Sequence, residues 1–219
     1  MSDGVRRAGQ GRLRVAGPAL AFRVKSGWAV AALVGGSRRA PVLLGVDRVV
    51  LSDPDVPETV QPYHAGFGRA QQDQRVVAAL VRRVERCAMR NIAKLLTGHE
   101  RAGHAPRRTA VVGTSAIDPS TIANEHIRIH ALEGQLFRRV VEEALRQHGL
   151  ECTTMLERDL YGNAPRTLGV GDAALRRRLT ELGRDQRGSW RAEQKSAALA
   201  AWVLLSSRMT TRESTARRP

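Results

Sequence analysis

Acidic residues are in short supply in this chain: 21 Asp and Glu stand against 36 Lys and Arg, for a formal charge of +15 and a pI near 11.4. An excess of that size is the electrostatic footprint of a polyanion partner. Nearly all the cations are Arg, the planar donor best matched to phosphate, although abundant Ala, Val, Leu and Gly point to an Arg-rich genome as a second source of the bias. Cysteine is scarcer still. Cys87 and Cys152 lie in unrelated segments, which excludes a disulfide framework or a cysteine zinc site as an organising principle and suits a reducing cytosol.

Aromatic residues are also few, with three Trp, two Tyr and three Phe. Single-strand binders stack bases on exposed aromatic platforms, whereas Trp28, Trp190 and Trp202 all sit in apolar stretches that read as core. A bound nucleic acid is therefore expected to be duplex or structured, gripped by its backbone. Long apolar runs are missing too. Ala197 to Leu205 falls well short of the ~20 residues that span a bilayer, and Met1 to Arg7 lacks a signal-peptide core. The expectation is a soluble cytoplasmic protein with no membrane partner.

What is present fits one domain with a sizeable core. Residues 1–17 and 207–219 read as flexible basic tails, too poor in apolar surface to offset ordering entropy, around a domain at 18–206. Ala19 to Val34 reads as strand, Ser26-Gly27 turn and strand, and Ala40 to Leu51 as a third strand. A long helix is predicted from about Gln71 to Leu96, with Val77, Leu80, Val81, Val84, Ala88, Ile92 and Leu95 on its apolar stripe. Its other face carries Arg75, Arg82, Arg83, Arg86, Arg90 and Lys94. Like charges at this spacing destabilise a helix by a few tenths of a kcal/mol per pair, a penalty that phosphate would remove.

Thr109 to Gly113 reads as a buried strand. Asp118-Pro119 is expected to cap a second helix ending near Gly149, with Ile129, Leu132, Leu136, Val140, Val141 and Leu145 buried. Glu151 to Glu157 follows as a strand, then helices over 171–182 and 189–205. A three-strand meander followed by two strand-helix crossovers predicts an α/β fold: a mixed five-stranded sheet, three strands antiparallel and two parallel, with helices on both faces.

Three local patterns bear on chemistry. His126 and His130 share one face of the second helix, with Glu133 a turn beyond. This spacing can ligate a transition metal given further ligands, but it is common on ordinary surfaces, and Ile127 stands where a zinc peptidase has Glu. Gly169-Val-Gly171 before a helix could offer amides to phosphate, yet no Lys-Ser/Thr follows and ordinary helix entry accounts for it. Ser26 and Ser115 have no elbow motif around them.

The first hairpin, Ala19-Leu-Ala-Phe-Arg-Val-Lys-Ser-Gly, resembles that of RuvC-like nucleases of the RNase H-like superfamily, in which an Asp ends the first strand. Arg166 to Arg178, with Gly169-Val-Gly171-Asp-Ala, is similar to that family's Gly-x-Gly-x-Ala-x-Lys segment, and Ser189 to Leu205 resembles its last helix. The resemblance spans residues 19–206 and implies an RNase H-like fold. It also implies where metal-holding acids should be: the ends of the first and fourth strands and the last helix. Those positions hold Lys25, Gly113-Thr114 and Lys195-Ser196, so the catalytic positions Lys25, Thr114 and Ser196 are degenerate, with Glu193, one turn early, the one expected survivor.

The reading that follows is a non-catalytic RNase H-like protein that engages nucleic-acid backbone, with protein partners in a larger assembly and no cofactor. Its binding residues would be Arg75, Arg82, Arg83, Arg86, Arg90, Lys94, Lys25, Arg176, Arg177 and Arg178. The alternatives are an Mg²⁺-dependent nuclease with relocated acids such as Asp47, Asp118 or Asp172, and a protein-interaction scaffold without a nucleic-acid role. Metal is not expected, His126 and His130 being the weak candidates.

Overall fold

The computed structural model describes residues 17–66, 69–113 and 117–206; both predicted tails otherwise lie outside them. Alternation opens the sheet. In β1 (Ala19–Lys25), Leu20, Phe22 and Val24 face one side while Ala19 and Ala21 face the other, the period of two that a strand buried on both faces carries with apolar residues throughout. Ser26-Gly27 turns the chain into β2 (Trp28–Gly36), with Gly27 at φ +79°, where a side chain would be strained. β3 (Pro41–Val50) completes the antiparallel meander. β4 (Arg108–Gly113) then runs parallel to β1, and β5 (Cys152–Leu156) parallel to β4, giving the order β3-β2-β1-β4-β5. This is the mixed sheet that the alternation predicts.

Two helices cover one face of the sheet. α1 (Gln74–Arg101) begins where Asp73 accepts the amides of Arg75 and Val76, and it packs Val84, Ala88, Ile92 and Leu96 inward. α2 (Glu125–Gln147) lies beside it. The other face holds α3 (Glu157–Leu168), α4 (Asp172–Leu182) and α5 (Ala192–Ser206). α5 is apolar nearly all round, as a helix enclosed by neighbours must be. Ala197, Ala198, Ala200 and Ala201 pack with Ala19, Ala21, Ala32 and Ala110 of the sheet, and small residues on both sides allow the close approach.

Two expectations need correction, and one helix falls where none was assigned. The second helix starts seven residues after the predicted Asp118 cap: Asp118 caps only a 3₁₀ turn at Pro119–Thr121, while Asn124 Oδ1 accepts the Ile127 amide and starts α2. α3 fills a stretch to which the sequence pattern assigned no element, and Gly162, Asn163 and Pro165 are poor helix formers. Leu160, Ala164 and Leu168 nevertheless give it a buried stripe at four-residue spacing, Pro165 sits only in the last turn, and Gly169 closes it at φ +67°. Of the three Trp, Trp202 alone is core; Trp28 and Trp190 are half-buried. No helix among the described residues is long and apolar enough to cross a membrane.

Trp202 is fully buried and its Nε1 donates to the Arg38 carbonyl at 2.9 Å, tying α5 to the β2–β3 turn. Trp202→Ala is expected to cost about 4 kcal/mol and to lower the melting midpoint by roughly 10 °C, followed by circular dichroism. Trp202→Phe, which keeps most of the ring, should lose less than half of that. Equal small losses from both would show that α5 is not anchored by this ring.

Candidate nucleic-acid interface

The site is built on the odd-numbered face of β1. Continuing the register of Ala19 and Ala21, Arg23 and Lys25 point toward the α5 layer, and an Arg on a buried strand face must find an anion. It finds Glu157, the first residue of α3, where β5 ends. Arg23 Nη2 and Nε donate to Glu157 Oε2 and Oε1 at 2.7 and 3.0 Å, with the Arg23 side chain only 5% exposed. A third donor, Ser196 Oγ from α5, reaches Glu157 Oε1 at 2.8 Å, and Tyr161 OH lies 3.3 Å from that hydroxyl. Lys25 Nζ is 3.8 Å from Glu193 Oε1, one turn before Ser196 on α5.

So Lys25 and Ser196 do meet in one cluster, reached from the strand end and from the last helix. Thr114 lies outside the described residues. Parallel pairing of Arg23 with Val112 still brings the end of β4 alongside the end of β1. The relocated acids do not join them. Asp47 is on β3 and faces His99 of α1, 3.9 Å away; Asp118 caps its turn; Asp172 is exposed at the start of α4. The expectation that Glu193 is the one surviving acid is corrected by Glu157. Its signal was legible in Arg23, the charge that lies inside the apolar run of β1 and not at its exposed end, which required a carboxylate at a neighbouring strand end.

Electrostatically the cluster is a closed set. Burial pushes the Glu157 carboxyl upward, but the Arg23 fork, the Ser196 hydroxyl and the Lys25 charge outweigh it and hold it below the ordinary carboxylate range. A magnesium ion needs hard oxygen donors that are free to turn toward it. Here both carboxylates face cations of the protein, Glu157 the Arg23 fork and Glu193 the Lys25 ammonium.

The predicted basic residues divide between the two layers. Arg75, Arg82, Arg83, Arg86, Arg90 and Lys94 are exposed along α1, with Arg83 Nη1 donating to Asp53 Oδ2 at 3.0 Å. Arg176 and Arg177 are exposed and Arg178 half-buried on α4, across the sheet from α1. Half-exposed Trp28 pairs with Lys25 across the hairpin, and the Arg48 guanidinium carbon stands 4.0 Å from the centre of its ring. His126 and His130 lie at the start of α2, at the corner of a small cavity that also holds His64.

No protein-family model matches the chain, and no curated protein matches it in sequence. Its fold matches that of Thermus thermophilus RuvC in complex with a Holliday junction substrate, at 14% identity over 89% of this chain and 97% of that one, with a TM-score of 0.52. Another T. thermophilus RuvC structure (11% identity, 85% and 92% coverage, TM-score 0.49) and the yeast mitochondrial Holliday junction resolvase Ydc2 (8%, 87% and 78%, 0.44) are also similar. At such identities the likeness is one of fold.

Removing one member of a buried pair strands the other. Arg23→Met or Glu157→Met is expected to destabilise by about 3 kcal/mol, while the double variant should lose much less than the sum of the two. Because Glu157 is depressed in the folded state, its contribution is fully present above the unfolded carboxylate value and fades as pH falls through the folded one. Urea unfolding should therefore show the gap between parent and Glu157→Gln shrinking in acid. Additive singles and a gap that does not change with pH would refute the coupling.

Proposed function

We propose that this chain is a non-catalytic RNase H-like protein that binds the backbone of duplex or branched nucleic acid. One observation carries the reading: at the place where the fold would hold metal, Glu157 and Glu193 face Arg23 and Lys25. A fixed ammonium and guanidinium can meet a phosphate there without a bridging ion, giving grip without an activated water. The exposed cations of α1 extend the positive surface along a second layer of the molecule. A RuvC of matching fold in complex with a Holliday junction substrate supports a branched duplex as the first target to test. That two carboxylates converge here, and not one, favours the competing reading of a metal-dependent nuclease, and the same experiment separates the two.

Purified protein should bind four-way junction and duplex DNA, with log K falling against log salt by about 0.9 per phosphate neutralised. Changing Arg82, Arg86 and Arg90 together to Gln should flatten that slope by up to about 2.7, whereas Arg176→Gln with Arg177→Gln on the opposite layer tests whether α4 shares the contact. No strand should be cut with Mg²⁺ or Mn²⁺. Metal-dependent cleavage that is lost in Glu193→Gln would overturn the reading in favour of a nuclease. Unchanged binding by the triple variant would remove α1 from the interface.

A further inference from the structure

Three of the chain's six histidines converge on one point away from the carboxylate cluster. His126 and His130 stand one turn apart on the first turns of α2, and His64 comes from the segment after the Pro57–Val60 turn. One ring nitrogen from each lies within 4.8 Å of the other two. The Nε2 atoms of His126 and His130 are 3.2 Å apart, and two nitrogens bound at about 2.05 Å in a tetrahedron are separated by about 3.3 Å. The third ring is already in place, since the centre of the His64 imidazole is 4.9 Å from that of His130 and 6.1 Å from that of His126.

Beneath them is Glu133, fully buried. Its Oε1 lies 2.6 Å from His64 Nδ1 and its Oε2 3.6 Å from His130 Nδ1. By taking the Nδ1–H of His64 the carboxylate fixes the tautomer that leaves His64 Nε2 free, while its Oε2 is buried with no hydrogen-bond partner. Such a carboxylate behind a histidine is the usual outer support of a metal ligand. The ordinary alternative, a helix surface with two histidines at four-residue spacing, gives no reason for a completely buried carboxylate that meets the Tyr63 backbone and His64 yet keeps one oxygen without a hydrogen-bond partner. A divalent cation held by those imidazoles would place positive charge above the buried carboxyl.

We infer that His64, His126 and His130 form a binding site for one Zn²⁺-class transition-metal ion, oriented by Glu133. Imidazole donors select Zn²⁺, Co²⁺, Ni²⁺ or Cu²⁺ over Mg²⁺ and Ca²⁺, so the site is distinct in chemistry from the magnesium site that the fold would suggest. Three ligands leave a fourth tetrahedral position for water or an anionic oxygen in the cavity of about 380 Å³ that the histidines line with Pro57, Glu58 and Val60.

Chelator-treated full-length protein should take up one equivalent of Zn²⁺ in competition with a chromogenic indicator. Co²⁺ in its place should give the intense visible bands of a four-coordinate site. His126 and His130 are exposed, so His126→Ala and His130→Ala should stay folded and lose both signals, and Zn²⁺ should raise the melting point of the parent but of neither variant. Glu133→Gln should weaken affinity by 10- to 100-fold, while His104→Ala and His148→Ala serve as controls and bind as the parent does. Uptake no stronger than in His126→Ala, or a six-coordinate Co²⁺ spectrum that survives that change, would overturn the assignment.

Discussion

A guanidinium buried at the end of the central strand dictates the arrangement around it. Arg23 occupies the inner face of β1, where its neighbours in the same register are alanines packed against α5. A charge in that position is tolerable only with an anion in hydrogen-bonding geometry, and Glu157 provides two oxygens for the two faces of the fork. Meeting that need fixes where β5 must stop and α3 begin. It also draws α5 into register, since Ser196 donates to the same carboxylate. One pair thus ties a strand, a strand-helix junction and the last helix into a single rigid corner.

The two ion pairs at this corner differ in how readily they open. Lys25 is 41% exposed and 3.8 Å from Glu193, so its ammonium can swing into water with little penalty, as is general for surface pairs. Arg23 has no such exit. Taking Glu157 for a metal would leave a nearly sealed guanidinium unpaired, at several kcal/mol. The corner therefore has one carboxylate that its partner can release and one that its partner cannot. Lys25 and Glu193 can part while Arg23 stays neutralised by Glu157.

The sheet was legible in the sequence almost strand for strand, because strands that are buried on both faces announce themselves by continuous apolar composition between turn residues. Helices were legible where a long stripe ran uninterrupted, as in α1. α3 was not, since Gly162, Asn163 and Pro165 each lower helix propensity, and the packing of Leu160, Ala164 and Leu168 that overrides them depends on α5, nearly thirty residues further along. The same limit governs the sites. Lys25, Glu193 and Ser196 followed from position along strand and helix, whereas Glu157 and His64 are supplied from distant segments and are placed by tertiary packing. Arg23 was the clue to the first of these; nothing local to Tyr63-His64 marked the second.

Both candidate sites lie where crossover topology concentrates function, outside the carboxyl ends of the parallel strands. α2 starts after β4 leaves the sheet, so its first turns, with His126 and His130, stand at the same end as Lys25. The Pro57–Val60 turn closes the gap between them. A Cβ on Gly27 of the first hairpin would meet Val60 at 3.1 Å, and Val60 lines the histidine cavity. A metal bound by His64 would hold the 57–66 segment to α2 and thereby fix the wall against which the Lys25 hairpin rests. Ordering of that segment and the shape of the basic corner are then coupled through packing across Gly27 and Val60, with no bond required between the ion and Lys25.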